Sequence, residues 1–132
     1  KSRGLDEAIK RAQAFVQAGA DVAFVETKSG PTILEDLKRI TAAVPAPCLL
    51  NVDAGGKLAD LTADDIGLLG IRLAIYPGLA RCAAGYAIQA ACAALKHDGN
   101  TRSVRERMLS PQQYNAALGL GESEAWEKKY LQ

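Results

Sequence analysis

The sequence predicts an α/β fold: the carboxyl-terminal half of a (β/α)8 barrel, with three parallel strands alternating with helices, followed by a helical tail. Three observations carry this expectation. Short apolar runs close on Glu26, Asn51 and Tyr76, each 25 residues after the last. A segment with helical periodicity fills each interval, so the strands are expected to be parallel, joined by right-handed crossovers. Three such strands leave two bare sheet edges and enclose little core, whereas a closed barrel takes about 250 residues against the 132 present.

Taken in order, Leu5, Ile9, Ala12, Phe15 and Val16 fall on one helical stripe from Leu5 to Ala18, with Asp6 and Glu7 at the favourable end of the dipole. Gly19 is expected to end that helix in a left-handed turn. Asp21 to Glu26 reads as a strand buried on both faces, and Lys28-Ser29-Gly30 as a turn. Pro31 suits a first helical position. Ile33, Leu34, Leu37, Ile40 and Val44 form the next apolar stripe, stopped by Pro45 and Pro47.

Cys48 to Asn51 is the second strand. After the Gly55-Gly56 loop, Thr62 is placed to cap a helix through Leu69 with Asp65 three positions on, and Gly70 ends it. Ile71 to Tyr76 is the third strand, and an alanine-rich helix runs from about Leu79 to His97. Helical pieces follow near Ser103 to Leu109, Pro111 to Leu118 and Ser123 to Leu131. Residues 1–99 are thus expected to form the half barrel and 100–132 the tail.

Composition narrows the function classes. A net charge of +1 gives no surplus to attract a nucleic acid or an anionic membrane surface. No apolar run approaches the roughly 20 residues of a membrane span, and no signal peptide is seen, so the expected location is the cytoplasm. The three cysteines lack Cys-x-x-Cys spacing and lie in apolar segments, as buried free thiols do. The chain starts on a helix without Met, and an upstream part is expected.

In parallel α/β folds the carboxyl ends of the strands and the loops after them build the active site. Glu26 and Asn51 are therefore expected on one functional edge. A carboxylate closing an apolar strand is costly to bury without a cation or donors, which makes Glu26 a candidate for chemistry rather than a loop salt bridge. Asn51 is either a ligand donor or the residue that starts the turn into Asp53-Ala54-Gly55-Gly56.

A set of ordered segments resembles a known family. These are Gly4-Leu5-Asp6-Glu7-Ala8-Ile9-Lys10-Arg11-Ala12, Ala18-Gly19-Ala20-Asp21, Phe24-Val25-Glu26, Leu50-Asn51-Val52, Gly55-Gly56-Lys57 and Leu73-Ala74-Ile75-Tyr76-Pro77. In this order and spacing they resemble the second half of enzymes of the isocitrate lyase and phosphoenolpyruvate mutase superfamily. The resemblance implies a Mg2+-dependent lyase or decarboxylase that cleaves a carbon–carbon bond in a small 2-oxo or 2-hydroxy dicarboxylic acid through an enolate.

By resemblance, Glu26 is catalytic and touches the metal through water, and Asn51, Val52 and Asp53 bind substrate. Arg81 stands one position before the family's carboxylate-binding Arg, where this chain has Cys82. A second family Arg falls at Pro111, and the family's Glu and Thr-Pro around the glycine pair are Ala54 and Leu58-Ala59 here. These losses argue against 2-methylisocitrate and towards a smaller acid such as oxaloacetate or a substituted malate. The metal-binding Asp residues and the Cys-containing loop of the family have no counterpart, so these residues alone are expected to be inactive. The resemblance also implies a homo-oligomer, a tetramer exchanging the last barrel helix, whose small residues Ala83 to Ala94 suit close packing. Two alternatives stand: a phosphoenolpyruvate mutase or phosphonopyruvate hydrolase, and a noncatalytic half-barrel assembly module.

Overall fold

The computed structural model describes residues 3–27, 30–53 and 55–131. Its elements run α1 (Leu5–Gln17), β1 (Ala23–Phe24), α2 (Ile33–Ala43), β2 (Cys48–Asn51), α3 (Ala63–Leu68), β3 (Ile71–Ile75) and α4 (Leu79–Asp98). A 3-10 segment (Arg102–Arg107), α5 (Pro111–Ala117) and α6 (Leu120–Tyr130) follow. The strands form one parallel sheet in the order β1-β2-β3. The chain divides into two units, residues 1–83 and 84–132.

The helices of the first unit bury the residues that helical geometry places together. In α1, Ile9 and Ala12 are buried, and Leu5 and Val16 pack against the same core. Phe15, expected on that stripe, is 59% exposed. The reason is angular: at about 100° per residue, Phe15 lies some 80° away from the direction of Leu5. The same correction applies in α2, where Ile33, Leu37 and Ile40 are buried while Leu34, about 100° from Ile33, is exposed.

The ends of these helices follow local chemistry. Gly19 follows the α1 cap with φ 107°, the left-handed region where glycine is favoured. Pro31 is not the first helical residue as expected; Thr32 is the N-cap of α2, and Pro31 belongs to the preceding turn. Val44 leaves α2 with extended φ −91°, ψ 118°, as the residue before Pro45 must to avoid the ring. The turn expected at Lys28-Ser29-Gly30 lies outside the described residues at Lys28 and Ser29.

β1 is shorter than the Asp21–Glu26 run. Its ladder pairs Ala23 with Cys48 and Phe24 with Leu49, while Ala23 N–H donates to Pro47 O at 2.9 Å. Pro47 has no N–H to return, which stops the ladder from extending upstream. Between β2 and β3 the register shifts once after Cys48, pairing Cys48 with Ile71 and Leu49 with Leu73.

The register separates the two faces of the sheet. Ala23, Cys48, Leu50 and Ile71 belong to the core beneath the helices, together with Val44, Val52, Ile66 and Leu69. Phe24, Leu73 and Ile75 are 42–50% exposed. Leu50 is 3% exposed. Phe24 pairs with Leu49 and Leu49 with Leu73, so alternation turns Leu50 the other way.

Thr62 and Asp65 form a reciprocal capping box at α3. In the second unit Ser110 and Gln113 make another, with Pro111 at the start of α5. Tyr86, Ile88, Tyr114, Leu118 and Trp126 are exposed there. Among the described residues no helix is long and apolar enough to cross a membrane.

Candidate active site at the carboxyl edge of the sheet

Two consecutive strands deliver side chains to one place. β1 ends two residues before Glu26 and β2 ends on Asn51, and both residues line a cleft of about 410 Å3. Thr27, Asp53, Gly55, Gly56 and Lys57 line it on the loop side, and Phe24, Ile33 and Leu58 contribute apolar wall. Size and lining suit a small polar ligand, since small-molecule sites run to roughly 300–1,000 Å3 with a few polar groups set in apolar walls.

Asn51 carries the clearest sign of unfinished chemistry. Among the described residues its Oδ1 is a buried side-chain polar atom without a hydrogen-bond partner. Such atoms are rare because each forfeits hydration without compensation. A ligand donor would satisfy it, and a half-turn of the amide would instead present the Nδ2 donor to an acid.

The sequence-predicted site is only partly brought together. Glu26, Asn51 and Asp53 share the cleft, and Asp53 is engaged in interactions of its own. Val52 does not line the cleft; its side chain is 2% exposed in the core and its N–H donates to Ile75 O at 2.8 Å. Arg81 is an exposed residue of the first turn of α4 and is not part of the lining. Ala54 lies outside the described residues. Lys57 was quoted only as part of a motif. Its position after two glycines in the loop following a strand was the available signal.

The oxygen donors of the cleft match the hard-ligand chemistry of Mg2+, which takes one or two protein carboxylates and retains waters. Among the described residues, however, no group of three His, Cys, Asp or Glu side chains could hold a metal ion. Glu26 and Asn51 therefore fit as contributors to such a centre, not as its whole ligand set.

The cysteines do not enter the cleft. Cys48 is buried, and burial pushes its thiol pKa up, leaving it protonated and inert. Cys82 and Cys92 are exposed on α4 rather than buried as expected, because that helix has no buried residue. His97 Nδ1 lies 2.7 Å from Asp98 Oδ1 at the end of α4.

Comparison with known proteins decides the family. The sequence matches the phosphoenolpyruvate phosphomutase family over residues 1–96. The chain belongs to that family. Phosphoenolpyruvate phosphomutase relatives include the 2,3-dimethylmalate lyase of Eubacterium barkeri, 33% identical over 98% of this chain and 44% of its own length. Oxaloacetate acetylhydrolase superposes with a TM-score of 0.81 at 25% identity, over 98% of this chain and 44% of that one. Phosphonopyruvate hydrolase in complex with oxalate and Mg2+ superposes at 0.73 and 26% identity, over 98% and 45%. The chain thus spans less than half the length of these relatives. The superfamily comprises lyases and mutases acting on small carboxylic acids, its solved members are barrel-like, and the three parallel β/α units here are part of that fold.

Proposed function

We propose that this chain forms one wall of the active site of a Mg2+-dependent lyase or decarboxylase that cleaves a carbon–carbon bond in a small 2-oxo or 2-hydroxy dicarboxylic acid. The unpartnered buried Asn51 atom, in one cleft with Glu26, is the observation that carries this reading. The 33% identity to a 2,3-dimethylmalate lyase along 98% of the chain favours carbon–carbon over phosphorus–carbon chemistry.

In this reading the rest of the barrel supplies the metal's direct ligands. Bound Mg2+ would stabilise the enolate charge that develops as the bond breaks. Glu26 orients water in the cleft through its carboxylate. Asn51 donates its amide to the substrate carboxylate, and Asp53 with the glycine pair shapes the loop over it. The small residues of α4 pack on a second subunit, in a tetramer that exchanges this helix.

The test is Glu26→Gln in the complete barrel, which removes one negative charge at nearly constant volume. Turnover of a small diacid such as oxaloacetate or 2,3-dimethylmalate should fall by about a hundredfold, the scale of losing one general acid–base or water-positioning group. Turnover within twofold of wild type would reject the role. Release of phosphate from phosphonopyruvate, without cleavage of either diacid, would select the phosphorus–carbon alternative.

A further inference from the structure

The described lining of the cleft carries more acidic than basic side chains. Glu26 and Asp53 bring two carboxylates to its lining. A dicarboxylic substrate would bring two more negative groups, and like charges in a partly enclosed site repel one another. Arg81, one position before the family's carboxylate-binding Arg, is not in the lining.

Lys57 is the one cationic side chain among the described residues that line the cleft. Among the described residues its side chain has no salt bridge or hydrogen-bond partner, although both carboxylates share the same cleft. Surface lysines are commonly solvated in this way. A lysine in the lining of an acidic cleft nevertheless places an ammonium within reach of an anionic ligand. It follows Gly55 and Gly56, where a would-be Cβ meets nothing within 4 Å. The four-carbon stem of Lys then carries a point charge across that space without a fixed fork geometry.

From this we infer that Lys57 binds the distal carboxylate of the substrate and so selects acids that carry a carboxylate arm beyond the reacting end. The inference rests on the function proposed above and deepens it by naming the group that reads the second acid. Asn51 and Glu26 serve the reacting end, on the strand side of the cleft. Lys57 serves the far end, from the loop side. The ammonium acts by charge and leaves the bond-breaking atoms alone, so its loss should weaken binding of the diacid and spare kcat.

The experiment uses the complete barrel with Mg2+ and compares wild type, Lys57→Met and Lys57→Arg. Titration calorimetry with L-malate, a 2-hydroxy diacid, and with oxalate, which has no distal arm, separates the two ends of the site. Lys57→Met should weaken malate by about tenfold, as expected for one charge-assisted contact at a partly solvated site, and leave oxalate within twofold. Lys57→Arg should retain most malate affinity. Wild-type malate binding should weaken as salt is raised, and that sensitivity should shrink in Lys57→Met.

Equal malate affinity in wild type and Lys57→Met would overturn the inference while leaving the proposed function intact. So would equal losses of malate and oxalate in Lys57→Met, because they would make Lys57 a support for the loop. Wild-type binding of oxalate without malate would also overturn it. Binding of neither acid by the wild type would sink the proposed function and this inference together. Thermal melting of each variant guards against misfolding, and Lys57→Arg keeps the test decisive if Lys57→Met fails to fold.

Discussion

At the scale of single residues, Gly70 shows how a position can be fixed twice. Its φ of +83° is one that side-chain-bearing residues seldom adopt, and a Cβ there would sit 2.7 Å from Thr41 Oγ1. That hydroxyl donates to Leu69 O at 2.7 Å, tying α2 to the turn between α3 and β3. Gly70→Ala should therefore cost about 2–3 kcal/mol, more than the roughly 1 kcal/mol of a backbone penalty alone, because Thr41 must also give up its bond. Gly67, in α3 with nothing near its would-be Cβ, should behave oppositely. Gly67→Ala should be neutral or stabilising by up to about 1 kcal/mol. Urea unfolding of both variants in the complete barrel checks the pair, and an equal effect at the two positions would contradict the Thr41 contact.

Among the elements, α3 is the clearest case of a helix started by its own sequence. Thr62 N–H donates to Asp65 Oδ2 at 2.9 Å, Thr62 Oγ1 to the same oxygen at 2.6 Å, and Asp65 N–H to Thr62 Oγ1 at 3.1 Å. The side-chain bond from Thr62, then its backbone N–H, hold the Asp65 carboxyl below the ordinary value of 3.8. A carboxyl whose pKa is lower folded than unfolded stabilises the fold above its unfolded pKa, and that contribution is lost as pH falls through the folded value. Asp65→Asn should thus be less stable than wild type at neutral pH, with the gap narrowing below about pH 4. Chemical unfolding across pH 2–7 measures it, and a gap independent of pH would show that the ionised box is not what starts the helix.

At the scale of the whole molecule, one face of the sheet is the feature that matters. The helices cover the side carrying Cys48, Leu50 and Ile71, and leave Phe24 50%, Leu73 45% and Ile75 42% exposed. In a closed barrel those positions would face inward, and closure would also remove both sheet edges. Left open, an apolar face with two edges favours association. The 132-residue, 14.0 kDa chain expressed alone should therefore be aggregated or incompletely folded, and addition of the remainder of the barrel should restore a compact state. Sedimentation and thermal unfolding read this directly. A soluble monomer that melts cooperatively would show that the open face tolerates water.

The sequence alone was enough for the element order, the parallel layout and the edge on which Glu26 and Asn51 meet. Those depend on local signals: apolar periodicity, the Thr62-x-x-Asp65 cap, glycines at helix ends and a constant 25-residue step. It also misplaced particular side chains, and each error has a geometric cause. Phe15 and Leu34 are apolar yet turn away from the core, since a stripe counted along the chain is wider than the arc a helix can bury. Leu50 lies on the covered face while Phe24 and Leu73 lie on the open one, because strand register depends on which residue of the neighbouring strand lies opposite, and no single strand contains that information. The membership of the cleft was decided in the same way. Lys57 joins Glu26 and Asn51 while Arg81 and Val52 do not, because loop path and register, set only when separate segments pack together, determine which side chains share a space.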